Sequence, residues 1–360
     1  MGTMITTRRP IRRRTGRPAR GALPAVVLAA ALVGGLAGCG TDAPPAPGPA
    51  AASTGAGTTS APAPSTAGRS NPAAAPAQIV PERTDVAYVD DGTTEHRLDL
   101  FVPADRGPGP FPVVVWVHGG GWKGGDKSDI GLEDIQMSQT KKLLLDRGYA
   151  VAAPNYRLIP NTRFPEPMQD VAAAVRHLRA HAGEYGLDAG RFALMGDSAG
   201  AHLAAMTALT PGRADLQGTL GTTGVDASVK AFVGFYGLYD LRTRTEDQKN
   251  VCGGGKPGAE SSHGRLIGAD PDSPEGEKVA ATASPVTYVG PATPPVLLFS
   301  GKEDCTAPYP QAEGFKAALD RAGVANELTL IDKPHADPQF FADPALQEQL
   351  VRFLDAHVKR

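Results

Sequence analysis

The feature that most limits the fold is a series of short, continuous apolar runs: VVVWVH (113–118), YAVAAP (149–154), RFALMG (191–196), KAFVGFYG (230–237), PVLLFSG (295–301) and ELTLI (327–331). A strand with one solvated face alternates apolar and polar residues. These runs do not, so the sheet they form is covered on both faces. Between them lie segments of helical spacing. One is 167–185, where Val171, Ala174, Val175 and Leu178 share a side; 311–322 and 344–358 are the others. Strands alternating with helices predict an α/β fold, with a mostly parallel central sheet and helices on both faces. Two earlier strands, 84–89 and 96–102, read as a hairpin about Asp90-Asp91-Gly92-Thr93. In such sheets ligands bind beyond the carboxyl ends of the strands, so chemistry is sought just after each apolar run.

The first 78 residues do not share this pattern. Seven arginines precede residue 21, followed by an uncharged apolar run and then Leu36-Ala37-Gly38-Cys39. A basic stretch, a short apolar core and small residues at the end form an export signal. The last four residues resemble a bacterial lipobox, which predicts a signal peptide over 1–38 and lipid attachment at Cys39. The expected location is extracytoplasmic and lipid-anchored. Plain secretion and a retained membrane anchor are the competing readings. Residues 39–78 are rich in Ala, Pro, Ser and Thr, with too few large apolar side chains to offset their ordering entropy, and are expected to be a disordered tether. The catalytic domain is then 79–360. Without the seven arginines, 29 basic residues face 38 acidic ones, a net charge of −9. That balance argues against a nucleic-acid partner. Three cysteines exclude a four-cysteine zinc site, and no CxxC or HExxH occurs, so no metal is expected.

Three strand ends carry reactive residues. RFALM is followed by Gly196-Asp197-Ser198-Ala199-Gly200 and the helical AHLAAMTAL. This is GxSxG in strand–turn–helix context, where a strained turn projects the serine hydroxyl. A glycine-rich helix cap with Ser198 as N-cap would give the same letters. VVVWV is followed by His118-Gly119-Gly120-Gly121-Trp122. Its backbone N–H groups, with that of Ala199, suit an oxyanion hole; Gly119 and Gly120 are the expected donors. His118 is expected to brace this loop. Trp122 is a candidate for the substrate pocket or for the core. A serine needs a base, and the base an orienting acid. Of eight histidines, His335 follows the last strand and takes the base role, with His263 as competitor. Asp304 follows PVLLFSG and takes the acid role, with Glu303, Asp240 and Asp332 as competitors. The order Ser198, Asp304, His335 is that of a nucleophile, acid and base on such a sheet.

HGGGW, NYRLIPNTRFPEPMQDV, EYGLDAGRFALMGDSAGAHLAA, ASPVTYV and SGKEDCTAPY together resemble the α/β-hydrolase superfamily. Within it they are similar to bacterial carboxylesterases of the acetylxylan and feruloyl esterase group, near the hormone-sensitive-lipase-like enzymes. The resemblance runs from about Arg97 to the C-terminus. It implies a cofactor-free serine hydrolase acting through an acyl-enzyme on short-chain or aromatic carboxylic esters, either small molecules or esterified polysaccharide. It also implies Ser198, Asp304 and His335 as the triad. Lys333-Pro334-His335-Ala336 departs from relatives, which usually have a glycine before the histidine. Cys305 follows Asp304, and Cys252 lies in the loop after KAFVGFYG. Both are placed near the catalytic edge, which suggests a Cys252–Cys305 disulfide. Arg157 and Asp170 are expected in the scaffold. Residues 242–283, polar and irregular in pattern, are expected to rim the site. The rival readings are an arylformamidase-like amidase or a peptidase on the same triad and, from another class, a non-catalytic lipid-anchored binding protein.

Overall fold

The computed structural model describes residues 82–360, apart from 132–136 and 256–257. The signal peptide, the tether and Cys39 lie outside the described residues. The strands are β1 (Glu82–Ala87), β2 (Arg97–Phe101), β3 (Phe111–Val117), β4 (Ala150–Pro154), β5 (Leu187–Asp197), β6 (Ala231–Phe235), β7 (Val296–Gly301) and β8 (Asn326–Ile331). They form one eight-stranded sheet in the order β1-β2-β4-β3-β5-β6-β7-β8. The hairpin β1–β2 is antiparallel, and β2 pairs antiparallel with β4. From β4 to β8 every pairing is parallel.

The continuous apolar runs are explained by two cores. On β3, Val113, Val115 and Val117 enter one core, while Val114 and Trp116 enter the other. On β5, Phe192 and Leu194 face the first, and Ala193 and Met195 the second. A strand buried on both sides has no use for alternation. The first core is closed by the helices Glu166–Ala180, Ala199–Leu209 and Pro310–Arg321, through residues such as Met168, Leu203 and Phe315. The second is closed by Met137–Asp146 and Pro344–His357, through Leu144, Leu350 and Phe353. Each fully buried Val, Leu or Phe contributes on the order of 1.5–3 kcal/mol of transfer free energy. β1 and β8 form the edges and are only partly buried.

The described residues of 242–283 are not irregular. They form three short helices, Arg244–Cys252, Ser262–Ile267 and Pro274–Thr282. Ser261 and Ser273 cap the last two by accepting from the Gly264 and Gly276 N–H groups, and each satisfies one of the helix's free amide donors.

Candidate active site

The register of the sheet gathers the reactive loops. Val117, the last residue of β3, pairs with Gly196 on β5, so the glycine loop emerges beside the serine turn. Asp197 pairs with Phe235 at the end of β6, Phe235 with Phe299 on β7, and Gly301 with Ile331 on β8. Nucleophile, acid and base loops therefore leave one edge of the sheet, close together.

Ser198 stands at φ 51°, ψ −120°, a conformation that strains any residue with a side chain. Its N–H donates to the Phe235 carbonyl at 2.9 Å, which ties the turn to β6. The turn also requires glycine at 200. A Cβ there would lie 2.0 Å from the Val117 carbonyl oxygen and 2.4 Å from that of His118. The helix beginning at Ala199 can thus press against the end of β3, and its first N–H groups, which have no intrahelical partner, remain at the serine.

His335 Nε2 lies 2.9 Å from Ser198 Oγ, and its Nδ1 lies 2.6 Å from Asp304 Oδ2. With Nδ1–H donating to the carboxylate, Nε2 presents its lone pair to the serine hydroxyl. Asp304 is fully buried, and its other oxygen accepts from the Thr306 and Ala307 N–H groups at 2.7 and 2.8 Å. Those two bonds fix the plane of the carboxylate. The Tyr236 ring meets His335 edge-on at 4.8 Å between centroids and limits its rotation. The competing acids are engaged elsewhere. Asp240 pairs with Arg242 at 2.7 Å, Asp332 pairs with Lys302 at 2.9 Å, and Glu303 is exposed. His263 is fully buried, with Nδ1 3.4 Å from Arg244 Nη1. Burial, with the neighbouring guanidinium, pushes it down to about 3, so it stays neutral away from the triad.

The glycine loop is held from below. His118 Nδ1–H donates to the Gly119 carbonyl at 2.9 Å and its ring stacks on Tyr156 at 4.3 Å. The Tyr156 hydroxyl reaches the carbonyls of His118 and Gly119 at 2.9 and 3.1 Å. Gly119, expected as an oxyanion donor, stands against the Asp197 carboxyl. Asp197 packs so closely that a Cβ on residue 119 would lie 2.4 Å from Oδ2. The three expected donors, Gly119, Gly120 and Ala199, stand on the two turns that leave the ends of β3 and β5 beside Ser198. Trp122 is 1 % exposed and meets His202 edge-on at 5.3 Å, which makes it core beneath the loop rather than open pocket wall. His202 packs there too, its Nε2–H donating to the Ala283 carbonyl at 2.7 Å.

Cys252 and Cys305 are joined by a disulfide. It links the helix Arg244–Cys252 to the residue after the acid. Gln248 Nε2 donates to the Cys305 carbonyl and Arg244 Nη2 to that of Thr306, so three contacts hold the acid loop from one side. Arg157 and Asp170 belong to the scaffold. Asp170 is fully buried and takes the Arg157 N–H and guanidinium at 2.8 Å each, pinning the chain after β4. Sequence reasoning did not single out Asp197, Tyr236 or Arg244. Asp197 had a signal, since it is the only side chain of GDSAG other than the serine and Ala199 and must face something in a closed turn. Arg244 had none.

A mostly parallel eight-stranded sheet carrying a Ser–His–Asp array at the carboxyl ends of β5, β7 and β8 defines an α/β-hydrolase. Within that class the match is to the BD-FAE family, whose model covers residues 98–319; the chain belongs to this family. It is 33 % identical over 232 residues to the probable carboxylic ester hydrolase LipM of Mycobacterium tuberculosis, covering 64 % of this chain and 50 % of that protein. It is 31 % identical over 258 residues to the esterase LipC of the same organism, covering 72 % and 60 %. The chain thus spans between half and three-fifths of the length of these relatives. A solved structure titled a truncated form of carbohydrate esterase from gut microbiota superposes with a TM-score of 0.70, covering 79 % of this chain and 99 % of that one. At 24 % identity this is a likeness of fold.

Proposed function

We propose that the protein is a serine carboxylesterase that cleaves short-chain or aromatic carboxylic esters through an acyl-enzyme. The observation that carries this is the unbroken line from Ser198 Oγ through the His335 ring to a buried Asp304, at 2.9 and 2.6 Å. His335 takes the Ser198 proton as the hydroxyl attacks the ester carbonyl. The developing oxyanion lies against the N–H groups of Gly119, Gly120 and Ala199; losing one such donor costs about 3–4 kcal/mol of transition-state stabilisation. His335 then returns the proton to the leaving alcohol, and water repeats the sequence to release the acid. Each step uses this chain's own groups. Membership of the BD-FAE family and the carboxylic ester hydrolases among its relatives support the reaction class.

The finer reading is that the alcohol or acyl part comes from acetylated or feruloylated polysaccharide, or from a small ester of the same kind. The resemblance of the motif chain to acetylxylan and feruloyl esterases supports it. The export signal and Leu36-Ala37-Gly38-Cys39 support an enzyme held outside the cytoplasm by lipid on Cys39, in contact with the membrane only through that lipid. Hydrolysis of p-nitrophenyl acetate, butyrate and decanoate beside Ser198→Ala tests the activity. Turnover that falls with chain length and vanishes in the variant is expected. A folded protein inert to all three, yet cleaving formamides or peptides, would move the same triad to amide chemistry, and inertness to every substrate would favour a binding protein.

A further inference from the structure

A cavity of about 260 Å³ opens between the segment that follows the glycine loop and the helices Arg244–Cys252 and Ser262–Ile267. Lys123, Arg244, Gln248, Glu260, Ser262 and Arg265 are among the residues that line it. Its lining residues touch the catalytic loops at two places. A Cβ on Gly121 would lie 3.8 Å from Lys123 Cε and 3.9 Å from Ser262 Oγ. Arg244 reaches the Thr306 carbonyl at 3.0 Å, two residues beyond the catalytic acid.

The charges in this cavity do not balance. Glu260 is paired with Arg265 at 2.7 Å. Arg244 is 8 % exposed, and its contacts are the Thr306 carbonyl, Gln248 Oε1 at 3.5 Å and the neutral His263 ring. None is a carboxylate. Its Nε is buried without any partner, and so is His263 Nε2 on the neighbouring helix. The anion its surroundings feel is Asp304, whose oxygens are taken by His335 and two backbone N–H groups. A guanidinium buried with no carboxylate in contact is costly. Holding the acid loop does not account for it, because that contact uses one N–H and the Cys252–Cys305 bond already joins the same two elements. A planar guanidinium with unused donors, set in a polar cavity with a second cation at its mouth, matches a carboxylate.

We propose that this cavity receives a carboxylate carried by the ester substrate, with Arg244 as the group that binds it and Lys123 attracting it from the exposed rim. The inference rests on the esterase reading and narrows it to esters with a free acid group on the acyl or the alcohol part. An uronate beside an acetyl or aryl ester, or the half-ester of a dicarboxylic acid, is of this kind.

The test compares matched substrates. On the acyl side, p-nitrophenyl hemiglutarate is set against p-nitrophenyl valerate; on the alcohol side, 4-acetoxybutyrate against butyl acetate. The ratio of kcat/KM, anionic over neutral, is measured for the native sequence, Arg244→Gln and Lys123→Gln. Lys123 is exposed, so its replacement leaves the core untouched and remains informative if Arg244→Gln loosens the acid loop. In at least one pair the ratio is expected to fall about tenfold or more with Arg244→Gln, and by a smaller factor with Lys123→Gln. Neutral esters cleaved with ratios that neither substitution changes would overturn the proposal and leave the esterase reading intact. Failure to cleave any ester would overturn both.

Discussion

Asp197→Asn should stabilise the protein, and only above a defined pH. The carboxyl lies in the closed turn before the nucleophile. Burial raises it from the ordinary 3.8 to about 7, with the nearby His335 pulling it back in part. An acid whose folded pKa exceeds its unfolded one binds its proton more tightly in the native state. Its contribution is therefore neutral below the unfolded value and becomes a cost as pH rises from about 4 to 7. About three units at about 1.4 kcal/mol each set the full cost near 4 kcal/mol. Asparagine keeps the shape of the side chain and has nothing to ionise. Urea unfolding of the native sequence and of Asp197→Asn, at several pH values, gives the difference. The gain from the substitution should be near zero at pH 3, under about 2 kcal/mol at pH 5 and about 4 kcal/mol at pH 8. A difference that does not vary with pH, or that grows toward acid, would refute the placement of a buried, reluctantly ionised carboxyl beneath the glycine loop.

Further outcomes follow from the same geometry. Asp304→Asn should leave the fold intact and lower kcat about 10⁴-fold, because an amide presents the wrong partner to His335 Nδ1–H; steady-state kinetics with circular dichroism checks both. Gly200→Ala should lose most activity and about 2–3 kcal/mol of stability, since its methyl would meet the Val117 and His118 carbonyl oxygens at 2.0 and 2.4 Å; thermal unfolding and kcat/KM read the loss. Replacing Cys252 and Cys305 by serine opens a cross-link across a sequence separation of 53, worth about 4 kcal/mol in the chain-entropy account, and should lower the urea midpoint; an unchanged midpoint would contradict it.

The parts legible in the sequence were those where one physical rule acts alone. A strand covered on both faces must be apolar throughout, so β3, β5, β6 and β7 could be read directly, and each reactive residue could be sought one turn beyond a run. The triad followed because Ser198, Asp304 and His335 all stand at such ends. Residues 242–283 failed for the opposite reason. The helices there are short and carry few apolar residues. Arg244–Cys252 buries only Arg244, so no apolar stripe announces it. The contact between Asp197 and Gly119 was not legible, because the letters of the turn do not say which way its one carboxyl faces. Trp122 could not be placed from its neighbours, since an aromatic after a glycine loop suits a pocket and a core equally.

The central claim is that Ser198 is a nucleophile activated by His335. The most direct measurement is active-site labelling with a fluorophosphonate, followed by peptide mass mapping. The account predicts one phosphonyl group per chain, on Ser198, absent in Ser198→Ala and formed far more slowly in His335→Ala. No labelling of the folded protein, labelling at another serine, or a rate unaffected by the loss of His335 would contradict it.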